Sequence, residues 1–199
     1  MKFFVNFLSA FRIAAAFAII PTLWFQLTWT SLILFVLAAL SDFFDGYLAR
    51  KYDVCTKLGG VMDHIGDKLI VVNTFITLTV MMPLWFVVVP IIIMIARELY
   101  ISGLREFLGT QKIEMPVPKA RFSMGKIKTT LQMITITAIL TLFALSTLKT
   151  PMSPRYLMAF RALFGFGMIG LWVSLLASVW SATEYTFTFI EKLKKVKKK

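Results

Sequence analysis

Apolar residues run through this chain in stretches of about twenty, each closed by a short polar or basic segment. The stretches cover residues 8–27, 29–49, 60–82, 84–104, 129–148 and 157–180. Each matches the length an α-helix needs to cross about 30 Å of hydrocarbon. The pattern predicts an all-α fold, an integral membrane bundle of six transmembrane helices. The third and fourth stretches run together at "VMMPLWFVVVP". One helix from 60 to 104 would be about twice what a bilayer requires, so Pro83 is expected to mark the turn between two spans, with Pro90 in the first turns of the next. The opening "MKFFVNFLSAFRIAAAFAII" has a lysine before an apolar run, as a signal peptide does. Its run continues for a whole span without a small-residue cleavage site, so it is expected to stay as the first helix.

Composition agrees with that pattern. The 199 residues are 58% hydrophobic and 16% charged, with a mean hydropathy of +0.78, too apolar for a domain that must keep a wet surface. One membrane domain over 1–190 and a basic tail over 191–199 account for the chain, because the longest polar connection, 105–128, is too short to hold a core of its own.

The formal net charge of +12 raises the question of nucleic acid. The basic residues are spread over juxtamembrane loops and one tail, so membrane lipids with anionic headgroups are the expected partner and no nucleic acid is expected. Arg50, Lys51 and Lys57 follow span two, Arg105 to Lys128 follow span four, and six lysines follow span six, whereas the opposite connections hold only Lys149 and Arg155. Lys and Arg are retained on the cytoplasmic side, so both termini are expected there. The tail "EKLKKVKKK" is expected to be solvated and loosely ordered against the membrane surface. Cys55, the single cysteine, excludes an intrachain disulfide and a thiolate metal cluster.

Against this background one stretch stands apart: "SDFFDGYLARKYDVCTKLGGVMDHIGDKL", residues 41–69. An aspartate at the bilayer centre costs about 2.5–3.5 kcal/mol, yet Asp42, Asp45, Asp63 and Asp67 fall close together at span ends. If span two is helical to Arg50, Asp42 and Asp45 lie one turn apart with Ala49 a turn further. If span three begins near Gly59, then Gly59, Asp63 and Asp67 form a second stripe. Four carboxylates at adjoining helix ends repel one another unless divalent cations join them, and an all-oxygen donor set suits hard metals. Mg²⁺ or Mn²⁺ is expected, as two ions about 3.5–4 Å apart. Gly46, Ala49, Gly59 and Gly60 leave the backbone open to close approach, and Arg50 offers a planar donor for phosphate. Taken singly, each aspartate also reads as a solvated helix end and each small residue as helix packing. The ordered set favours the metal site. Asp53 breaks the stripes and reads as a loop residue. His64 points about 100° from Asp63 and reads as structural.

The stretch resembles the signature of the CDP-alcohol phosphotransferases, D-x2-D-G-x2-A-R-x8-G-x3-D-x3-D, with every fixed position filled by Asp42, Asp45, Gly46, Ala49, Arg50, Gly59, Asp63 and Asp67. Outside it, "NFLSAFRI", "ARELYISGLREFLG" and "GKIKTTLQM" are similar to segments of the bacterial members that make phosphatidylglycerophosphate, apart from Val5 where proline commonly precedes the asparagine. The resemblance implies six spans, a cytoplasmic site in the bacterial inner membrane, and transfer of the phosphatidyl group of CDP-diacylglycerol to sn-glycerol 3-phosphate with release of CMP. It also implies metal held by Asp42, Asp45, Asp63 and Asp67, with Asp67 as general base, and the CDP-linked lipid against Gly46, Ala49, Arg50 and Gly59. A homodimer is implied as well.

A phosphorylated acceptor needs cations opposite the metals, for which Arg105, Lys126 and Lys128 are the candidates. Each also serves as a positive-inside flank. Arg12, Arg97, Glu98 and Arg161 are polar residues inside spans without an assigned role. The alternatives are a relative using serine or inositol phosphate, a membrane prenyltransferase, and an ion-coupled transporter. Prenyltransferases have more spans and two separated aspartate motifs. A transporter predicts midplane carboxylates and an internal repeat, and no repeat is evident.

Overall fold

The computed structural model describes residues 2–52, 57–110, 124–148 and 153–196; for residues 2–6, 42–52, 57, 58, 63, 124, 126, 195 and 196 the description is of the backbone alone. Six helices follow in order: α1 (Lys2–Trp24), α2 (Thr28–Tyr52), α3 (Lys57–Met81), α4 (Trp85–Thr110), α5 (Met124–Ser146) and α6 (Pro154–Val196). Five of them are long and apolar enough to cross a membrane, and α2 adds the apolar run Thr28–Ser41 ahead of its aspartates. This is a multi-pass membrane protein, with six helices among the described residues where six apolar stretches are expected.

The turns follow from local chemistry. At the end of α1, Leu27 donates its N–H to the Thr22 carbonyl and Gln26 to that of Leu23, closing the helix with Gln26 at a left-handed φ of 57°. Pro83 falls in the three-residue break between α3 and α4. Ser153 caps α6 by accepting the Tyr156 N–H at 3.2 Å, with Pro154 as the first helical residue.

The main helix contacts are α5 with α6, α1 with α3 and with α2, and α4 with α6; α2 also meets α5, and α2 and α3 touch more sparsely. Ile19, Leu23, Phe35, Phe75, Leu78, Ile91, Met94, Ile136, Ile139 and Leu171 form the centre of the buried core. Large apolar side chains such as Phe17, Ile92, Ile169 and Leu176 point outward, as a surface solvated by lipid tails requires. Side chains of α5 press close against the α6 backbone. A Cβ on Gly170 would meet Thr135 Oγ1 at 2.6 Å, and one on Gly167 would meet Ile139 at 3.1 Å, so small residues set this interface.

Pro90 lacks the N–H that would bond the Phe86 carbonyl. The indole N–H of Trp172 on α6 donates to that carbonyl instead, at 3.1 Å.

The last helix corrects one expectation. Residues 191–196 of the tail continue α6, which runs for 43 residues, about 64 Å at 1.5 Å per residue. Contacts with α4 support its later part: Tyr100 with Thr186, Arg105 with Tyr185, and the Phe107 and Phe189 rings edge to face at 5.9 Å.

Candidate active site

The polar contacts that bear on the site come from Arg12 on α1, Asp67 and Lys68 on α3, Arg97, Glu98 and Arg105 on α4, Lys128 on α5 and residues 178–185 of α6. α2 is helical through Arg50 and α3 from Lys57 onward, so the registers that the aspartate stripes require are both present. Asp42 and Asp45 sit one turn apart along the α2 backbone, as do Asp63 and Asp67 along α3. Gly46 and Ala49 are further along α2, and Gly59 is buried in the first turn of α3. The side chains of Asp42, Asp45, Arg50, Asp63 and Lys126, and the position of Asp53, lie outside the described residues. Among the described residues no three histidine, cysteine or acidic side chains come together.

Asp67 is described, and it reveals a partner that its neighbourhood in the sequence does not suggest. Arg12, completely buried on α1, donates to the Asp67 carboxylate, whose side chain is 32% exposed. Gly66 makes room for this: a Cβ there would meet Arg12 Cδ at 3.3 Å. Nearly two turns beyond Asp67, Asn73 donates to the Ala16 carbonyl at 3.0 Å and ties the same two helices again. A charge-assisted bond of this kind fixes both partners in one geometry, so α1 holds the carboxylate that α3 presents. His64 is exposed on the neighbouring face.

A second polar cluster joins α3, α4, α5 and α6. Arg97 donates to the Ser178 carbonyl at 3.0 Å, to Ser181 Oγ at 2.8 Å and to Glu98 Oε1 at 3.0 Å. Lys128 donates to that same Glu98 oxygen. Lys68, the residue after Asp67, donates to Ser102 Oγ, which in turn donates to the Glu98 carbonyl at 2.8 Å. Arg105 bonds the Tyr185 hydroxyl at 2.7 Å and lies 4.9 Å from its ring centre, a cation–π contact. Lys68, Arg97, Arg105 and Lys128 are close enough for their charges to repel.

Of the three cations expected to meet an acceptor phosphate, Arg105 and Lys128 thus belong to one cluster. Sequence reasoning left Arg97 and Glu98 unassigned and missed Lys68. Its signal was position: Lys68 directly follows the signature's last aspartate. Arg161 is exposed on α6, away from this cluster.

A helical membrane bundle with aspartate-bearing helix ends beside a cationic cluster suits transfer between charged phosphate esters, one of them lipid-linked. The chain belongs to the CDP-alcohol phosphatidyltransferase family, whose model matches residues 3–180. It is similar to a Rickettsia bellii protein named CDP-diacylglycerol–glycerol-3-phosphate 3-phosphatidyltransferase, with 39% identity over 137 residues, 67% of this chain and 72% of that one. A protein of the same name from Pectobacterium atrosepticum is 30% identical over 181 residues, 89% and 90% of the two chains. Another, from Rickettsia typhi, is 41% identical over 108 residues and is matched over only 57% of its length, 54% of this chain.

Proposed function

We propose that this protein transfers the phosphatidyl group of CDP-diacylglycerol to sn-glycerol 3-phosphate, forming phosphatidylglycerophosphate and CMP. The observation that carries the reading is the adjacency of two features along α3. These are a complete eight-residue signature on α2 and α3 and, one residue beyond it, the start of a cation cluster able to take a phosphorylated acceptor.

The donor set fits divalent metal. Asp42, Asp45, Asp63 and Asp67 are hard oxygen ligands in pairs one turn apart, with no soft donor among them. Bound there, two Mg²⁺ or Mn²⁺ ions supply neutralisation of the pyrophosphate charge. Gly46, Ala49 and Gly59 leave space for the nucleotide, and Arg50 holds a phosphate.

Asp67, oriented by Arg12, takes the proton from the acceptor hydroxyl as that oxygen attacks the phosphorus bearing diacylglycerol. The bond from this phosphorus to the bridging oxygen breaks, and CMP leaves with that oxygen. Arg105, Lys126 and Lys128 hold the acceptor's phosphate, and the lipid tails stay in the membrane. The reading includes a homodimer in the bacterial inner membrane with its site on the cytoplasmic face. Its polarity is testable at Cys55: a membrane-impermeant maleimide should label inside-out vesicles and spare intact spheroplasts, and the reverse pattern would invert the topology.

The activity is tested by incubating purified protein in detergent with CDP-diacylglycerol, Mg²⁺ and a panel of alcohols. CMP release with sn-glycerol 3-phosphate, abolished by chelator, is expected. No CMP with any acceptor would sink the enzyme reading, and CMP only with serine or inositol phosphate would reassign the acceptor.

A further inference from the structure

The cation cluster contains a carboxylate that the proposed reaction does not use. Glu98 accepts from Arg97 and Lys128 on the same oxygen, and these two cations differ in their freedom to move. Arg97 is also bound to the Ser178 carbonyl and Ser181 on α6, so it stays with Glu98. Lys128 carries its charge on a flexible four-carbon stem with three rotatable donors. Lys68, only partly buried, stands within electrostatic range of Lys128.

Among the described residues, Lys68, Arg97, Arg105 and Lys128 set four positive charges against the one carboxylate of Glu98. Repulsion among cations in a partly buried site is costly, so this excess of cations over carboxylates invites a further anion. A phosphate monoester, carrying about −1.5 to −2 near neutral pH, meets that demand; an uncharged alcohol does not.

We propose that Glu98 is an internal stand-in for the acceptor's phosphate. It holds Lys128 while the site is empty and yields it when a phosphate enters beside Lys68. It is thus a positioning residue that tunes acceptor affinity and keeps the empty cluster from closing on smaller anions. The inference deepens the reading of a phosphorylated acceptor and rests on it for the identity of the ligand.

The test is calorimetric titration of inorganic phosphate into the purified full-length protein in detergent, beside acceptor kinetics. Glu98→Gln should bind phosphate at least threefold more tightly and lower the KM for sn-glycerol 3-phosphate by a greater factor than it changes kcat. Unchanged or weaker phosphate binding by folded Glu98→Gln would overturn the proposal. Should that variant fail to fold, Glu98→Asp, which keeps the charge and shortens the reach, should bind phosphate at least twofold more tightly; no gain there would overturn it equally. Absence of CMP release with sn-glycerol 3-phosphate would defeat the reading of the acceptor, while the phosphate titration would still decide the role of Glu98.

Discussion

The α1–α3 contact and the cluster on α3 to α6 both place basic side chains deep in a membrane protein, but they are built on opposite plans. Arg12 faces a carboxylate, Asp67, and its stem lies against Gly66. In the cluster, Glu98 is shared by two cations, and Lys68 and Arg105 rest on hydroxyl groups. A matched pair holds a geometry, whereas a surplus of one sign creates an affinity. The first plan suits a group that must act on a reacting atom, and the second suits a group that must receive a ligand.

Substitutions at the two places should therefore fail differently. The largest effect is expected from Asp67→Asn, which keeps an oxygen that can accept from Arg12 but removes the proposed base. Turnover measured as CMP release should fall by about 10²–10⁴-fold with CDP-diacylglycerol binding retained, and full activity would remove Asp67 from its assigned role. Next is Arg12→Met. Asp67 is partly exposed and can recover some hydration, so the expected loss of thermal stability in detergent is about 1–3 kcal/mol, accompanied by lower kcat. An unshifted melting temperature would mean that the pair does not hold α1 to α3.

Gly66→Ala should do the same on a smaller scale, costing roughly 1 kcal/mol as the Arg12 stem yields a few tenths of an ångström. Arg105→Gln provides the contrast: stability should move by less than about 1 kcal/mol, since Tyr185 can bond water instead, while the KM for sn-glycerol 3-phosphate rises several-fold. A stability loss at Arg105 as large as at Arg12 would erase the distinction between the two plans. The smallest effect is expected away from both. Gln26→Gly removes a side chain from a left-handed position and should gain a few tenths of a kcal/mol up to about 1.

The helices were legible because lipid imposes a length on apolar stretches, and Pro83 separated the two that run together. The aspartate registers were legible because a helical turn fixes which positions recur. Legibility ended where contacts cross between helices. Arg12 and Asp67 are 55 positions apart, and Glu98 and Lys128 are 30; periodicity within a helix says nothing about which neighbour it meets. The continuation of α6 to Val196 was hidden for a related reason. Lysine-rich "EKLKKV" is a good helix former in composition, but its charge suggests a loose tail, and the α4 contacts along Tyr185, Thr186 and Phe189 that extend the helix are tertiary.

The carbonyl of Phe86, freed by Pro90, has implications for biogenesis. Its partner Trp172 is 86 residues further along the chain, so at a synthesis rate of roughly 5–20 residues per second the ribosome delivers α4 about 4–17 s before the indole that satisfies it. During that interval the carbonyl, in the first turn of α4 beside the break at 82–84, is left to interfacial water, which the indole replaces when α6 docks. Final docking of α4, whose main contact is with α6, waits for that helix and does not follow the order in which the helices are numbered.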